Sequence, residues 1–80
     1  MTLEEFARII ERPLTLQFVP GVPTSYWRCF FDNTSVVGCG PNQERARRDL
    51  VQKIRGRNIG FRTPTGRNYR EYAVPDALTA

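Results

Sequence analysis

Val36-Val37-Gly38-Cys39-Gly40-Pro41-Asn42-Gln43-Glu44-Arg45-Ala46 is where the chain passes from strand to helix. Val36 to Cys39 is apolar and β-branched at its start and reads as a strand. Gly40-Pro41 breaks it, and Asn42 is a good N-cap for a helix beginning at Gln43. Ala46, Leu50, Val51 and Ile54 then recur at helical spacing, and Gly56 is a natural stop. Glu44 precedes Arg48 by four residues, and Asp49 precedes Lys53 by four, both in the favourable orientation. Arg45, Arg48, Gln52 and Arg55 run down one exposed side of this helix, and Arg47 sits away from them.

Upstream, Thr2-Leu3-Glu4-Glu5 is a capping box, with Thr2 as cap and Glu5 reaching back. Leu3, Phe6, Ala7 and Ile10 make one helical face, and Pro13 stops the helix, which spans about Leu3 to Glu11. Glu4, Arg8, Glu11 and Arg12 fall on a solvated face. Leu14 to Val19 alternates, with Leu14, Leu16 and Phe18 on one side, and is a half-buried strand. Pro20 to Ser25 is a connection, Tyr26 to Phe31 a second strand, and Asp32-Asn33-Thr34-Ser35 a turn.

Pairing Asp32 with Val36 sets Phe31 against Val37 and Cys29 against Cys39. Trp27, Cys29, Phe31, Val37 and Cys39 then share the core face, and Tyr26, Arg28 and Phe30 the other. The facing cysteines could bridge, but two buried, reduced thiols are the expectation for a cytoplasm. The predicted buried set is Leu16, Phe18, Trp27, Phe31, Leu50 and Ile54, with Phe6 beside them.

Downstream, Ile59 to Arg62 is a short strand, Thr63-Pro64-Thr65-Gly66 a turn that sets Arg62 beside Arg67, and Arg67 to Val74 the returning strand. The residues from Asp76 to Ala80 are expected to fray. The prediction is one α+β domain over residues 1–80, in the order helix, three-stranded antiparallel sheet, helix, C-terminal β-hairpin.

Eighty residues leave room for one small domain, and 40% hydrophobic with 25% charged residues is ordinary globular composition. No apolar run approaches a membrane span, and the acidic start, Met1 to Glu5, is unlike a secretory signal. A cytoplasmic protein is expected, with no membrane partner. There is no histidine, so the commonest general base and metal ligand are missing. Cys29 and Cys39 lack metal-ligand spacing. The expectation is no enzyme, no metal and no cofactor.

Charge is graded along the chain. Residues 1–40 carry three arginines against four carboxylates, a net of −1; residues 41–80 carry nine cations against four, a net of +5. All the cations but Lys53 are arginine, the better residue for bidentate contact with phosphate or carboxylate. Arg45, Arg48, Arg55, Arg57, Arg62 and Arg67 are the candidate binding residues, with Tyr26, Arg28 and Phe30 as a secondary set.

On these residues two resemblances arise. Residues 3–54 resemble the helix, three strands, helix order of double-stranded-RNA-binding domains, whose second helix begins with G-x-G-x-S-K-K-x-A. Gly38, Gly40 and Ala46 match, Asn42 replaces the serine, and Gln43 and Glu44 replace the phosphate-clamping lysines. The same stretch resembles the G-x-G-x-T-x-x-E-A segment of HicB-like antitoxins and of small phage-encoded proteins, which the final hairpin fits better. The resemblance to small phage-encoded proteins, anti-CRISPR proteins among them, implies a non-enzymatic inhibitor. It would dock on an acidic protein surface or a nucleoprotein complex through the arginine-rich face. The alternative is a module that binds RNA or DNA directly. Oligomeric state is left open, a homodimer included.

Overall fold

Thr2 caps the first helix as its sequence predicts: its hydroxyl accepts from the Glu5 amide at 3.2 Å and donates to the Glu5 carboxylate at 3.4 Å. The computed structural model describes residues 1–62 and 68–80, Arg62 by its main chain alone. The order is α1 (Leu3–Ile10), β1 (Leu14–Val19), β2 (Tyr26–Phe31), β3 (Gly38–Gly40), α2 (Gln43–Ile54), β4 (Asn58–Arg62) and β5 (Tyr69–Ala73). The protein is α+β, with β1-β2-β3 in one antiparallel sheet and β4-β5 as a separate antiparallel hairpin. No helix among the described residues is long and apolar enough to cross a membrane.

α1 stops one residue earlier than expected. Glu11 turns left-handed at φ 57°, and its amide bonds back to the Ala7 and Arg8 carbonyls, so the helix closes before Pro13 can act. Leu3, Phe6 and Ile10 face inward, and Phe6 meets Phe31 edge-on at 5.8 Å. Arg12 does not join a solvated face. It is 6% exposed, with its guanidinium 4.7 Å over the Phe61 ring, so the turn after α1 delivers it to the hairpin.

The β2–β3 register is one residue away from the predicted one. Trp27 faces Gly40, Arg28 faces Cys39, and Cys29 faces Gly38. Val36 and Val37 belong to the connection, not to β3. The cause is the close approach of α2. A Cβ on Gly38 would run into the Ala46 carbonyl oxygen and stand 2.5 Å from the Leu50 amide; one on Gly40 would stand 2.7 Å from the Ala46 amide. Only glycine fits at these alternate positions under the helix, so Cys39 between them turns outward. Cys29 is buried and Cys39 exposed, on opposite faces, and both are free thiols.

Two further expectations are corrected. Phe18 is on the helix side of the sheet but 51% exposed, tilted against Trp27 at 5.4 Å, because it lies at the end of an edge strand; Leu16 and Trp27 are half-buried. The C-terminal residues do not fray. Val74 and Leu78 are in the core, and Thr79 bridges to Thr2, its amide donating to the Met1 carbonyl at 2.8 Å. Four-residue spacing lets both apolar side chains reach the core, a signal that a short terminal stretch does not advertise. The predicted Thr63–Gly66 turn and Arg67 lie outside the described residues. The ladder sets Tyr69, not Arg67, opposite Arg62.

Candidate anion-binding face

The site is built on α2. Asn42 fixes its start by accepting from the Arg45 amide at 2.9 Å. With Ala46, Leu50, Val51 and Ile54 buried, the helical period puts Arg45, Arg48, Gln52 and Arg55 on the solvent side, and all four are exposed. Two shallow grooves flank this ridge. One, about 380 Å³, lies between Arg45, Arg48 and Gln52 and the chain at Cys39, Gly40 and Pro41. The other, about 270 Å³, lies between Arg48, Gln52 and Arg55 and the C-terminal residues Leu78, Thr79 and Ala80. Docking of the terminus thus shapes one wall of the site.

The cations differ in how far they are already neutralised. Arg48 pairs with Glu44 at 2.6 Å, and Lys53 with Asp49 at 2.9 Å, both predicted i,i+4 pairs. Arg47 reaches Glu4 of α1 at 2.5 Å, away from the ridge. Arg45, Arg55 and Arg57 are exposed and pair with no carboxylate among the described residues. Arg57 follows Gly56, which turns the chain at φ 72°, and its main chain bonds to Ile54 and Val74. Arg45, Arg48 and Arg55 therefore line one ridge through the two grooves they flank, and Arg57 follows in the chain just past its end. Arg62 is at the far end of β4, roughly 16 Å of extended chain beyond Arg57, and its side chain lies outside what the structure describes.

Asp49 has a second role. Its carboxylate accepts from the Cys39 amide at 2.8 Å and from Lys53, and these two bonds hold its pKa below the usual carboxylate value, the amide contributing most. Lys53 also donates to the Val37 carbonyl at 2.9 Å. Helix side chains thereby occupy the outer edge of β3, an arrangement that the i,i+4 pattern alone does not suggest.

The secondary candidates lie elsewhere. Tyr26, Arg28 and Phe30 project from the sheet face opposite the helices, as predicted from alternation. Arg28 lies 5.4 Å over the Phe30 ring and donates to Gln17 at 3.4 Å. Cys39 is on this face too, opposite Arg28, which the predicted register missed. A pocket of about 150 Å³, floored by Phe31, Leu50 and Ile54 and rimmed by Thr34, Asn58 and Tyr69, also had no sequence signal. Among the described residues no three Cys, Asp or Glu side chains converge in a way that could hold a metal ion.

Comparison with protein-family models, with curated proteins and with solved structures yields no match to this chain. The chemistry of the face therefore rests on its own residues. Planar guanidinium forks on a helix, flanked by grooves and only partly neutralised, suit the carboxylates or phosphates of a partner.

Proposed function

We propose that this protein is a non-enzymatic binding protein that docks on an anionic surface of a protein or nucleoprotein complex through the arginine ridge of α2. It would act as small phage-encoded inhibitors do, by occupying a surface rather than by chemistry. The observation that carries this reading is that Arg45 and Arg55, on the solvent side of α2, and Arg57 just beyond it are exposed without carboxylate partners, while Arg47, Arg48 and Lys53 have them. Uncommitted guanidinium groups keep their full hydrogen-bonding capacity for a partner.

Direct binding of a nucleic acid is the second reading. The helix, three strands, helix order favours it, together with Arg45 in the first turn of α2, one residue beyond the positions where duplex-RNA-binding domains carry lysines. Gln43 and Glu44 at those positions, and exposed Glu4, Glu5 and Glu11 on and just after α1, weigh toward a protein surface. The test is a pull-down from host-cell lysate with and without nuclease, repeated with Arg45→Glu/Arg55→Glu. A protein retained after nuclease and lost with the variant supports the first reading. A ligand removed by nuclease supports the second. Equal capture by both proteins overturns the ridge as the site.

A further inference from the structure

Both helices lie on one side of the three-stranded sheet. Phe6 of α1 meets Phe31, and α2 lies over Gly38, which faces Cys29 in the ladder. Phe31 and Cys29 point to that side, so β2 presents Tyr26, Arg28 and Phe30 on the other. There Tyr26 is 39% exposed, Cys39 is exposed, and Arg28 and Phe30 are half-buried. Along the strand the order is ring, guanidinium, ring, with the two rings rooted about 13 Å apart.

The charge on this face is positive and unmatched. Arg28 lies 5.4 Å over the Phe30 ring, and its hydrogen bond goes to the neutral Gln17 side chain at 3.4 Å. Among the described residues no carboxylate pairs with it. Cys39 faces Arg28 across the ladder and also lines the groove that leads round the β3 edge to Arg45, a second guanidinium without a carboxylate. The carboxylates beside this path are engaged. Asp32 accepts from the Thr15 hydroxyl at 2.5 Å, and Asp49 accepts from the Cys39 amide and from Lys53. One surface thus joins aromatic rings to guanidinium groups that nothing neutralises.

We infer that this sheet face binds single-stranded nucleic acid, with bases against Tyr26 and Phe30 and backbone phosphates on Arg28 and Arg45. Every nucleotide brings a π-face and a negative charge, the two chemistries that alternate along β2. Arg28 has five N–H donors, and the bond to Gln17 leaves it able to hold a phosphate. A duplex is the wrong occupant. Its nucleotides rise only about 3.4 Å each, with the bases stacked on one another, and rings rooted in a flat sheet reach bases only where they are already unstacked. An acidic peptide offers carboxylates to the guanidinium groups but no π-face to the rings. The face is distinct from the ridge of α2, and its occupancy does not depend on what docks at Arg55.

The experiment is fluorescence anisotropy of labelled oligouridylate and oligothymidylate with the full chain, against a duplex of the same length and against oligoglutamate. Either single strand should bind more tightly than both controls. Tyr26→Ala should weaken binding at least about fivefold, and Tyr26→Phe, which keeps the ring, should restore it. Arg28→Glu should weaken it too and lower the log–log salt slope by about 0.7, one phosphate of a single strand. Arg55→Glu changes the net charge equally but lies off this face, so it should weaken binding less than Arg28→Glu. Circular dichroism checks each fold, and if Arg28→Glu does not fold, Arg28→Gln takes its place, with Arg55→Gln as its match. Tyr26→Ala leaves the ridge intact, so this face and the ridge are tested separately. Absence of single-strand binding at micromolar protein overturns the inference, as does parental affinity in Tyr26→Ala. Equal losses in the Arg28 and Arg55 variants reduce the binding to net charge and overturn it as well. Oligoglutamate or duplex bound as tightly as the single strands assigns the face to an acidic protein or to a duplex instead, and overturns it equally.

Discussion

Gly38 stands opposite Cys29 in the β2–β3 ladder, with the Ala46 and Leu50 backbone directly over its Cα. A methyl group there meets helix backbone rather than a movable side chain, so α2 must lift or β3 must bend. Gly38→Ala is expected to cost at least about 1–3 kcal/mol. In a domain of this size, that lowers the melting temperature by about 4–8 °C per kcal/mol. Cys39→Ala, on the outer face, should change stability by no more than about 0.5 kcal/mol. Thermal melts of the two variants check the register, because a one-residue shift would reverse their order.

The two thiols should behave as unlike groups. Burial pushes the Cys29 thiol up to about 11, while Cys39 is exposed. Brief alkylation of the native protein should label Cys39 alone, and both should label after unfolding, as read by intact mass. An intramolecular disulfide formed without unfolding would contradict their placement on opposite faces. The shift also has a pH consequence. The unfolded thiol ionises first, so the neutral buried form contributes stability that is whole below pH 9 and falls as pH rises toward 11. Urea melts across that window should show a loss that Cys29→Ala, though less stable at every pH, does not share.

Periodicity makes most of this fold legible. Leu3, Phe6 and Ile10, and then Ala46, Leu50 and Ile54, are one-faced at helical spacing and are buried as predicted. The errors arise where a tertiary neighbour decides the outcome. The alternation of Trp27, Cys29 and Phe31 is right in itself, but extending it to Val37 and Cys39 on apolar character fails, because two glycines under a helix are the better guide. Arg12 is charged and follows a helix, so no local rule places it against Phe61. For the site, the helix wheel locates Arg45, Arg48 and Arg55, because exposure on α2 follows from its buried stripe. It cannot tell which of them a carboxylate already holds.

Leu78 gives a direct test of the C-terminal docking. It is 1% exposed, and its neighbour Thr79 bonds to Met1. Leu78→Ala removes a buried side chain between elements from both ends of the chain and should cost about 2–5 kcal/mol. The loss should appear in thermal melting and as faster exchange at the Thr79 amide. A frayed terminus would tolerate the change without effect.

The arginine ridge gives the prediction that bears on function. Reversing Arg45, Arg48 and Arg55 to Glu should leave the fold intact, since exposed substitutions usually cost within about 0.5 kcal/mol each. Arg48→Glu adds slightly more, because it replaces an ion pair with Glu44 by two like charges four residues apart, worth about 0.2–0.5 kcal/mol. Partner binding should be lost in the triple variant. The single variants should rank: Arg45→Glu and Arg55→Glu, which remove unpaired guanidinium groups, should weaken binding more than Arg48→Glu, which removes one already shared with Glu44. Titration calorimetry against the captured partner checks this order. Salt then separates the two classes of partner. A nucleic acid should show a log–log slope that scales with the phosphates contacted, reduced by about one for each arginine lost. An acidic protein surface should show salt acting mainly on the association rate. A triple variant that folds and keeps parental affinity would remove α2 from the interface and leave Tyr26, Arg28 and Phe30, on the uncovered sheet face, as the surface to reverse next.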